Sequence, residues 1–417
     1  MLNILKKLVE TKIERTVKTR GDCQLISDAI LESLDVEISY STIKRVYGLN
    51  ASTKPNTRTL NILANFVGYN NYSHFIQTYN FESSNNLNFQ IYKVISKMDH
   101  VKIVKLINAT KKSTQNFSDF IIVLIRELLH NKNFKLVNKI FQLEALKYNT
   151  FSYSEILYIG NSIGLLLKKS NKIDNSLLSN ENFIEFVFST FVDYSSLNKY
   201  YGKAAKIILA NHNNKEIKLF TNGLLEFKNF LNKKKIRLVK LDLIYSNKLH
   251  PILCGRLFAL YFLKDKDFNN ELVITNYFKV HSKKTLIVDY SFELFIAAIL
   301  TKNRFLMSKL ISKIEVESKT LFLYQKFHLN IFYLMCLFFY RLQGNKSKEN
   351  RFKQLFSIDA CTIGYMDFIK SLHLIYLYDS ESLTIKKQLI IGEYVKITDK
   401  LNYPYLNIDF INNYFIK

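Results

Sequence analysis

The sequence predicts an all-α protein in which a small five-helix domain precedes an α-solenoid of helical hairpins. Three observations lead there. Only 11 Gly and 3 Pro punctuate 417 residues, too few for the turns of a sandwich or barrel. Apolar residues recur at helical spacing in most segments. Similar polar knots return at intervals near the ~34–45 residues of helical-repeat proteins. Hydrophobic residues, at 48%, supply a sizeable core and exclude general disorder.

The first helix is expected over Leu2–Lys18, with Leu2, Leu5, Leu8, Val9 and Ile13 on one face. Gly21 and Asp22 then break and cap, and Leu25, Ile26, Ala29, Ile30 and Leu34 form a second stripe. Ser39 or Ser41 caps a short third helix ending at Gly48. Pro55 and Thr57 open a fourth, with Leu60, Leu63, Ala64 and Val67 inward and Gly68 as its stop. A fifth, Tyr72–Tyr79, carries Phe75 and Ile76. These helices make a domain over residues 1–81. The polar run 82–88 has no apolar periodicity and reads as a linker, leaving 89–417 as the body.

The run Ser41-Thr42-Ile43-Lys44-Arg45-Val46-Tyr47-Gly48, then Lys54-Pro55, then Leu60 to Tyr69, resembles the Cro/repressor-type helix-turn-helix domain. It is closest to a variant found in Bacteroidota proteins, in which an "IS-x-x-TLKR" helix precedes a "TLD-x-LA-x-y-x-GY" helix. The likeness covers about 60 residues, with one departure: Ala29 to Ile43 is a few residues longer than the family's usual turn. The resemblance implies that the third helix enters the major groove of double-stranded DNA. Ile43 and Val46 then face the core, and Tyr40, Ser41, Thr42, Lys44, Arg45 and Tyr47 turn outward. Arg45 is placed to fork to a guanine, with Ser41 and Thr42 serving phosphate or base. Lys54 and Arg58, beside the fourth helix's N-terminus, suit the DNA backbone. The same residues also fit a plain helical bundle with a solvated basic face, because residues 1–80 hold 10 basic against 7 acidic side chains.

The body is a succession of apolar helices separated by knots: Leu129–Phe134, Leu263–Phe268 and Leu300–Phe305, with looser copies at Leu167–Ile173 and Tyr340–Lys346. Phe134 to Ile173 is 39 residues, Phe268 to Phe305 is 37 and Phe305 to Lys346 is 41. Tyr340…Gly344 with Phe352, Ala259…Phe268 and Ile296…Phe305 resemble degenerate tetratricopeptide repeats, although most of that consensus's small residues are missing. An irregular helical bundle with coincidental spacing is the alternative. Solenoids offer a concave face to a peptide, protein or nucleic acid.

Charge is the loudest global number: 59 basic against 35 acidic residues, for a net +24. Lysine dominates that excess, as codon bias in an AT-rich genome also produces, yet a cationic surface attracts polyanions whatever its origin. Over 199–248 there are 12 basic and 3 acidic residues, and Lys228, Lys233, Lys234, Lys235, Arg237 and Lys240 mark a candidate basic patch. The bland reading is a solvated face of amphipathic helices.

Several functions find no support. There is no GxxxxGK or GxGxxG loop, no GxSxG elbow, no HExxH and no Cys/His cluster with metal-ligand spacing, so no enzymatic activity, cofactor or metal is expected. Cys23, Cys254, Cys336 and Cys361 stand far apart, as unpaired core thiols in a reducing compartment do. No continuous apolar leader opens the chain, and the greasiest stretch, Leu329–Leu342, is shorter than the ~20 residues a bilayer needs. That stretch reads as a buried core helix, and the protein is expected to be cytoplasmic, without a membrane partner.

Together these readings predict a DNA-binding transcriptional regulator whose body dimerises or senses a peptide or protein. The layout is similar to peptide-responsive regulators with a repressor-type head and a tetratricopeptide body. The competing expectations are a non-enzymatic basic scaffold binding protein or RNA, and a DNA-recruited component of a phage, mobile-element or defence system.

Overall fold

The computed structural model describes residues 1–50, 55–96, 100–113, 117–245, 249–317, 322 and 324–416. Among them every regular element is helical. Contacts divide the chain into Met1–Ile103 and Val104–Lys417.

The first unit contains α1 (Leu2–Lys12), α2 (Arg20–Leu34), α3 (Tyr40–Val46), α4 (Thr57–Phe66) and α5 (Tyr72–Ser96). Leu5 and Val9 of α1, Cys23, Ile26 and Ile30 of α2, Ile43 and Val46 of α3, and Leu63, Ala64 and Phe66 of α4 close one core with Phe75. The inward stripes mostly follow the expected periodicity, but Leu25 is 46% exposed and Leu60 does not join this core, where Ile62 packs instead. α1 is shorter than its pattern, because Glu14 turns left-handed at φ 54° and ends the helix before Arg15. The start of α2 also differs. Thr19, not Gly21, is its N-cap, and Asp22 sits three residues on as the return partner of a capping box. The run 82–88, read as a linker, lies within α5.

α6 (His100–Ser113) crosses the division between the units. The second unit continues with α7 (Phe117–His130), α8 (Phe134–Phe141), α9 (Tyr153–Ser170) and α10 (Glu181–Phe183), the last running into a π-helical turn over Ile184–Phe188. Then follow α11 (Tyr200–Asn211), α12 (Lys215–Leu231), α13 (Leu241–Ile244), α14 (Pro251–Lys264), α15 (Glu271–Val280) and α16 (Ile287–Thr301). α17 (Arg304–Glu317), α18 (Gln325–Gln343), α19 (Lys346–Leu355), α20 (Met366–Ser380), α21 (Thr384–Leu401) and α22 (Ile408–Asn413) complete it. α12, α14, α16, α18 and α20 pack each on the next, and α11, α17, α19 and α21 lie against α12, α16, α18 and α20.

The core runs along that line of helices. α16 is buried from Ile287 to Leu300, and α18, the greasiest stretch of the sequence, buries most of its length. Gly255 lets α14 approach α16 closely: a Cβ there would lie 2.5 Å from the Tyr290 carbonyl oxygen.

Three of the polar knots share one backbone design. Lys132, Lys302 and Gly344 each take a left-handed φ, of 56°, 56° and 71°, and stop the preceding helix. The next residue in each case is Asn. Asn133, Asn303 and Asn345 return their backbone N–H groups to the carbonyls of Leu128, Ala298 and Tyr340. Their side chains accept from Leu136, Leu306 and Lys348 and so cap α8, α17 and α19. A helix stop and the next helix start therefore occupy two adjacent residues.

No helix among the described residues is long and apolar enough to cross a membrane. All four cysteines are free and buried.

Candidate functional site

Three places carry unusual chemistry, and α3 is the first. Ser39 caps it, accepting from the Thr42 backbone N–H at 3.3 Å and lying 3.0 and 2.9 Å from the Ser41 and Thr42 hydroxyls. Ser27 on α2 donates to the Ile38 carbonyl and fixes the approach to this cap. With Ile43 and Val46 buried, Arg45 is exposed on the far side, and Tyr40, Ser41, Thr42 and Lys44 are half-buried. The Arg45 guanidinium folds back along its own helix, donating to the Ser41 carbonyl at 3.3 Å and the Thr42 hydroxyl at 3.4 Å. Those contacts leave most of its donor fork open.

Tyr47 is placed differently from the others. Its hydroxyl donates to the Lys6 carbonyl at 3.0 Å, and burial pushes its ionisation well above the ordinary tyrosine range. It ties α3 to α1. Arg58 is exposed in the first turn of α4, where Asn56 accepts from the Thr59 N–H at 2.8 Å. Lys54 lies outside the described residues.

Two features of this region lay beyond the motif. Arg20 stands 4.6 Å above the Tyr40 ring and adds a cation beside α3. No acidic residue occurs between Glu37 and Glu82, whereas all 7 acids of the first 80 residues lie at or before Glu37. The small net charge of residues 1–80 thus conceals a segregation. The half bearing α3 and α4 is purely basic.

The second place is the basic patch at the end of α12 and in the segment after it. Lys233, Lys234, Lys235, Arg237 and Lys240 are exposed, while Lys228 is half-buried. α11 brings Lys203 and Lys206 to the same cluster, a pairing the sequence does not suggest. Burial, then repulsion from Lys206, Lys234 and Lys203, lowers the Lys228 pKa. Among the described residues none of these cations has a carboxylate partner.

The third place is a cavity of about 610 Å³ within the second unit, invisible in the sequence because its walls come from seven separated segments. A buried ion pair adjoins it through Arg256, which lines the wall. Arg256 on α14 meets Glu293 on α16 at 2.6 Å, and Tyr194 donates to the other carboxylate oxygen at 2.6 Å. Beside it, Asp289 on α16 is fully engaged by His328 at 2.7 Å, Gln325 at 2.8 Å and Tyr324 at 3.0 Å. Tyr153, Phe220, Phe292 and Phe327 are among the rings of the wall, and Glu185 and Glu216 stand towards solvent. Burial holds the His250 imidazole down at about 4, so it is neutral at pH 7. No three His, Cys, Asp or Glu side chains among the described residues gather as metal ligands.

Comparison with known protein families, with curated proteins and with solved structures gives no match.

Proposed function

We propose that the protein is a DNA-binding transcriptional regulator. In this reading α3 lies in the major groove, with Arg45 on a guanine edge, Ser41, Thr42 and Lys44 on base or phosphate, and Arg58 and Lys54 on the backbone. Tyr47 acts as a positioning residue that holds α3 on α1. The body is an α-solenoid of helical hairpins that dimerises or senses a peptide or protein, and so sets the spacing of two α3 helices.

The observation that carries the proposal is the acid-free stretch between Glu37 and Glu82, from which the exposed Arg45 projects. A duplex phosphate surface repels carboxylates and attracts cations, so an acid-free stretch in a chain holding 35 acidic residues fits a polyanion. The cap at Ser39 and the packing of Ile43 and Val46 leave the opposite side of α3 free for base edges.

A second reading rests on the unpaired lysines around Lys228: a basic scaffold that binds RNA or an acidic protein through the body. Fluorescence anisotropy with duplexes of varied sequence separates the two. Arg45→Ala is expected to weaken binding to a preferred duplex by ~1–3 kcal/mol and to flatten sequence preference. Replacing Lys233, Lys234 and Lys235 together by Ala is expected to leave that preference intact. If only the lysine variant loses affinity, and equally for all sequences, the scaffold reading replaces the regulator.

A further inference from the structure

The cavity of the second unit is chemically unlike the surface around it. Lysine supplies 49 of the 417 residues, yet none of the 25 residues lining the cavity is a lysine. Arg256 is the one cation in the lining, and Glu293 already neutralises it at 2.6 Å. What remains is negative: Glu185, half-buried, and Glu216, exposed. Among the described residues neither carboxylate has a hydrogen-bond donor or a cation against it. Burial, reinforced by Glu181 and Glu216, raises the Glu185 pKa, as expected for a half-buried carboxylate near others of its charge. Nine of the 25 lining residues are Phe or Tyr, whose ring faces carry partial negative charge.

We infer that this cavity binds an organic cation: an ammonium or guanidinium group carried on an apolar body. The charge sits between Glu185 and Glu216, and the body lies against the rings of Tyr153, Phe220 and Phe327. The size supports a body as well as a charge. A cavity of about 610 Å³ falls within the ~300–1,000 Å³ of sites that enclose a whole small molecule, and a bare ammonium ion would leave most of it empty. An anion fits poorly, since it would meet two free carboxylates while the Arg256 guanidinium is already occupied. The net charge of +24 repels cations elsewhere, so binding of one must come from a local field of opposite sign. The inference stands independently of whether α3 contacts DNA.

The same cationic group reaches the cavity either as a free amine or as the basic side chain of a peptide. Isothermal titration of the full-length chain with phenylpropylammonium, with benzyltrimethylammonium, with a short Phe/Arg peptide and with phenylpropionate distinguishes these. At least one cationic probe is expected to bind with a Kd below ~1 mM, and phenylpropionate at least ~10-fold more weakly. Tighter binding of the small amines identifies a free ligand, and tighter binding of the peptide identifies a peptide side chain. The double variant Glu185→Gln/Glu216→Gln, which removes no side-chain hydrogen bond among the described residues, should weaken the cation by ~10-fold or more. Ser162→Trp, which fills the cavity from α9, should abolish binding and is the independent check if the double variant folds poorly. The inference is overturned if no cationic probe binds below ~10 mM, if phenylpropionate binds as tightly, or if affinity survives these substitutions.

Discussion

Arg256 and Glu293 bury opposite charges 2.6 Å apart in the line of core helices, and Tyr194 completes the arrangement. Removing one partner leaves the other charge stranded, so Glu293→Ala should cost ~3–5 kcal/mol in urea unfolding, whereas the double variant Arg256→Met/Glu293→Leu should recover most of the loss. An additive loss would show that the pair does not act as one unit. Histidine protonation acts at the same scale. Burial, then Lys353 and Lys370, holds His373 down at about 4 from its ordinary 6.5, and burial also lowers the pKa of His281. Depressed histidines bind protons in the unfolded chain before the folded one. Their stability is therefore fully present above pH 6.5 and declines as pH falls towards 4. Melting temperatures should drop over that window, and His373→Phe should flatten the drop. Residue-level reading of the sequence succeeded for Ile43 and Val46, because burial on one helix face follows spacing. It does not reveal the Tyr47 bond to α1, whose partner is a carbonyl 41 residues away.

The knots show what local chemistry makes legible at the scale of elements. A left-handed stop followed at once by an Asn cap needs only adjacent residues, so its spacing could be read directly. Lys132 and Lys302 occupy a conformation that costs an L-residue ~1–2 kcal/mol relative to Gly. Lys132→Gly, at an exposed position, should therefore stabilise the body by up to ~1 kcal/mol. Asn303 caps α17 and also donates to the carbonyls of Lys266 and Phe268 in the preceding knot, at 3.0 and 3.2 Å. Asn303→Ala should cost ~1–3 kcal/mol, more than loss of a cap alone. Equal unfolding midpoints for both variants and the parent would contradict this account. The run 82–88 carries no such signal, yet it lies within α5. Ser and Asn disfavour helix by less than ~1 kcal/mol per residue, and packing on either side, at Phe75 and at Ile91 and Ile95, outweighs them.

At the scale of the whole chain, the +24 charge says little until it is located. Over residues 1–80 it is divided, with acids up to Glu37 and cations alone beyond them. In the second unit lysines cluster around Lys228, while the cavity wall holds none. The helical class and the periodic knots were legible in the sequence, since both repeat along the chain. The cavity was not, because its walls are assembled from distant segments. If two α3 helices act together, sedimentation should find a dimer at micromolar concentration, with a monomer in the presence and absence of DNA counting against it. The most direct test of the central proposal is selection of the full-length chain and its Arg45→Ala variant on random double-stranded DNA at ~150 mM salt, which suppresses purely electrostatic binding. The account predicts an enriched motif for the parent chain, two-fold symmetric if it dimerises, with the preference at one base lost in the variant. No enrichment by the parent, with weak salt-sensitive binding that Arg45→Ala leaves unchanged, would contradict it.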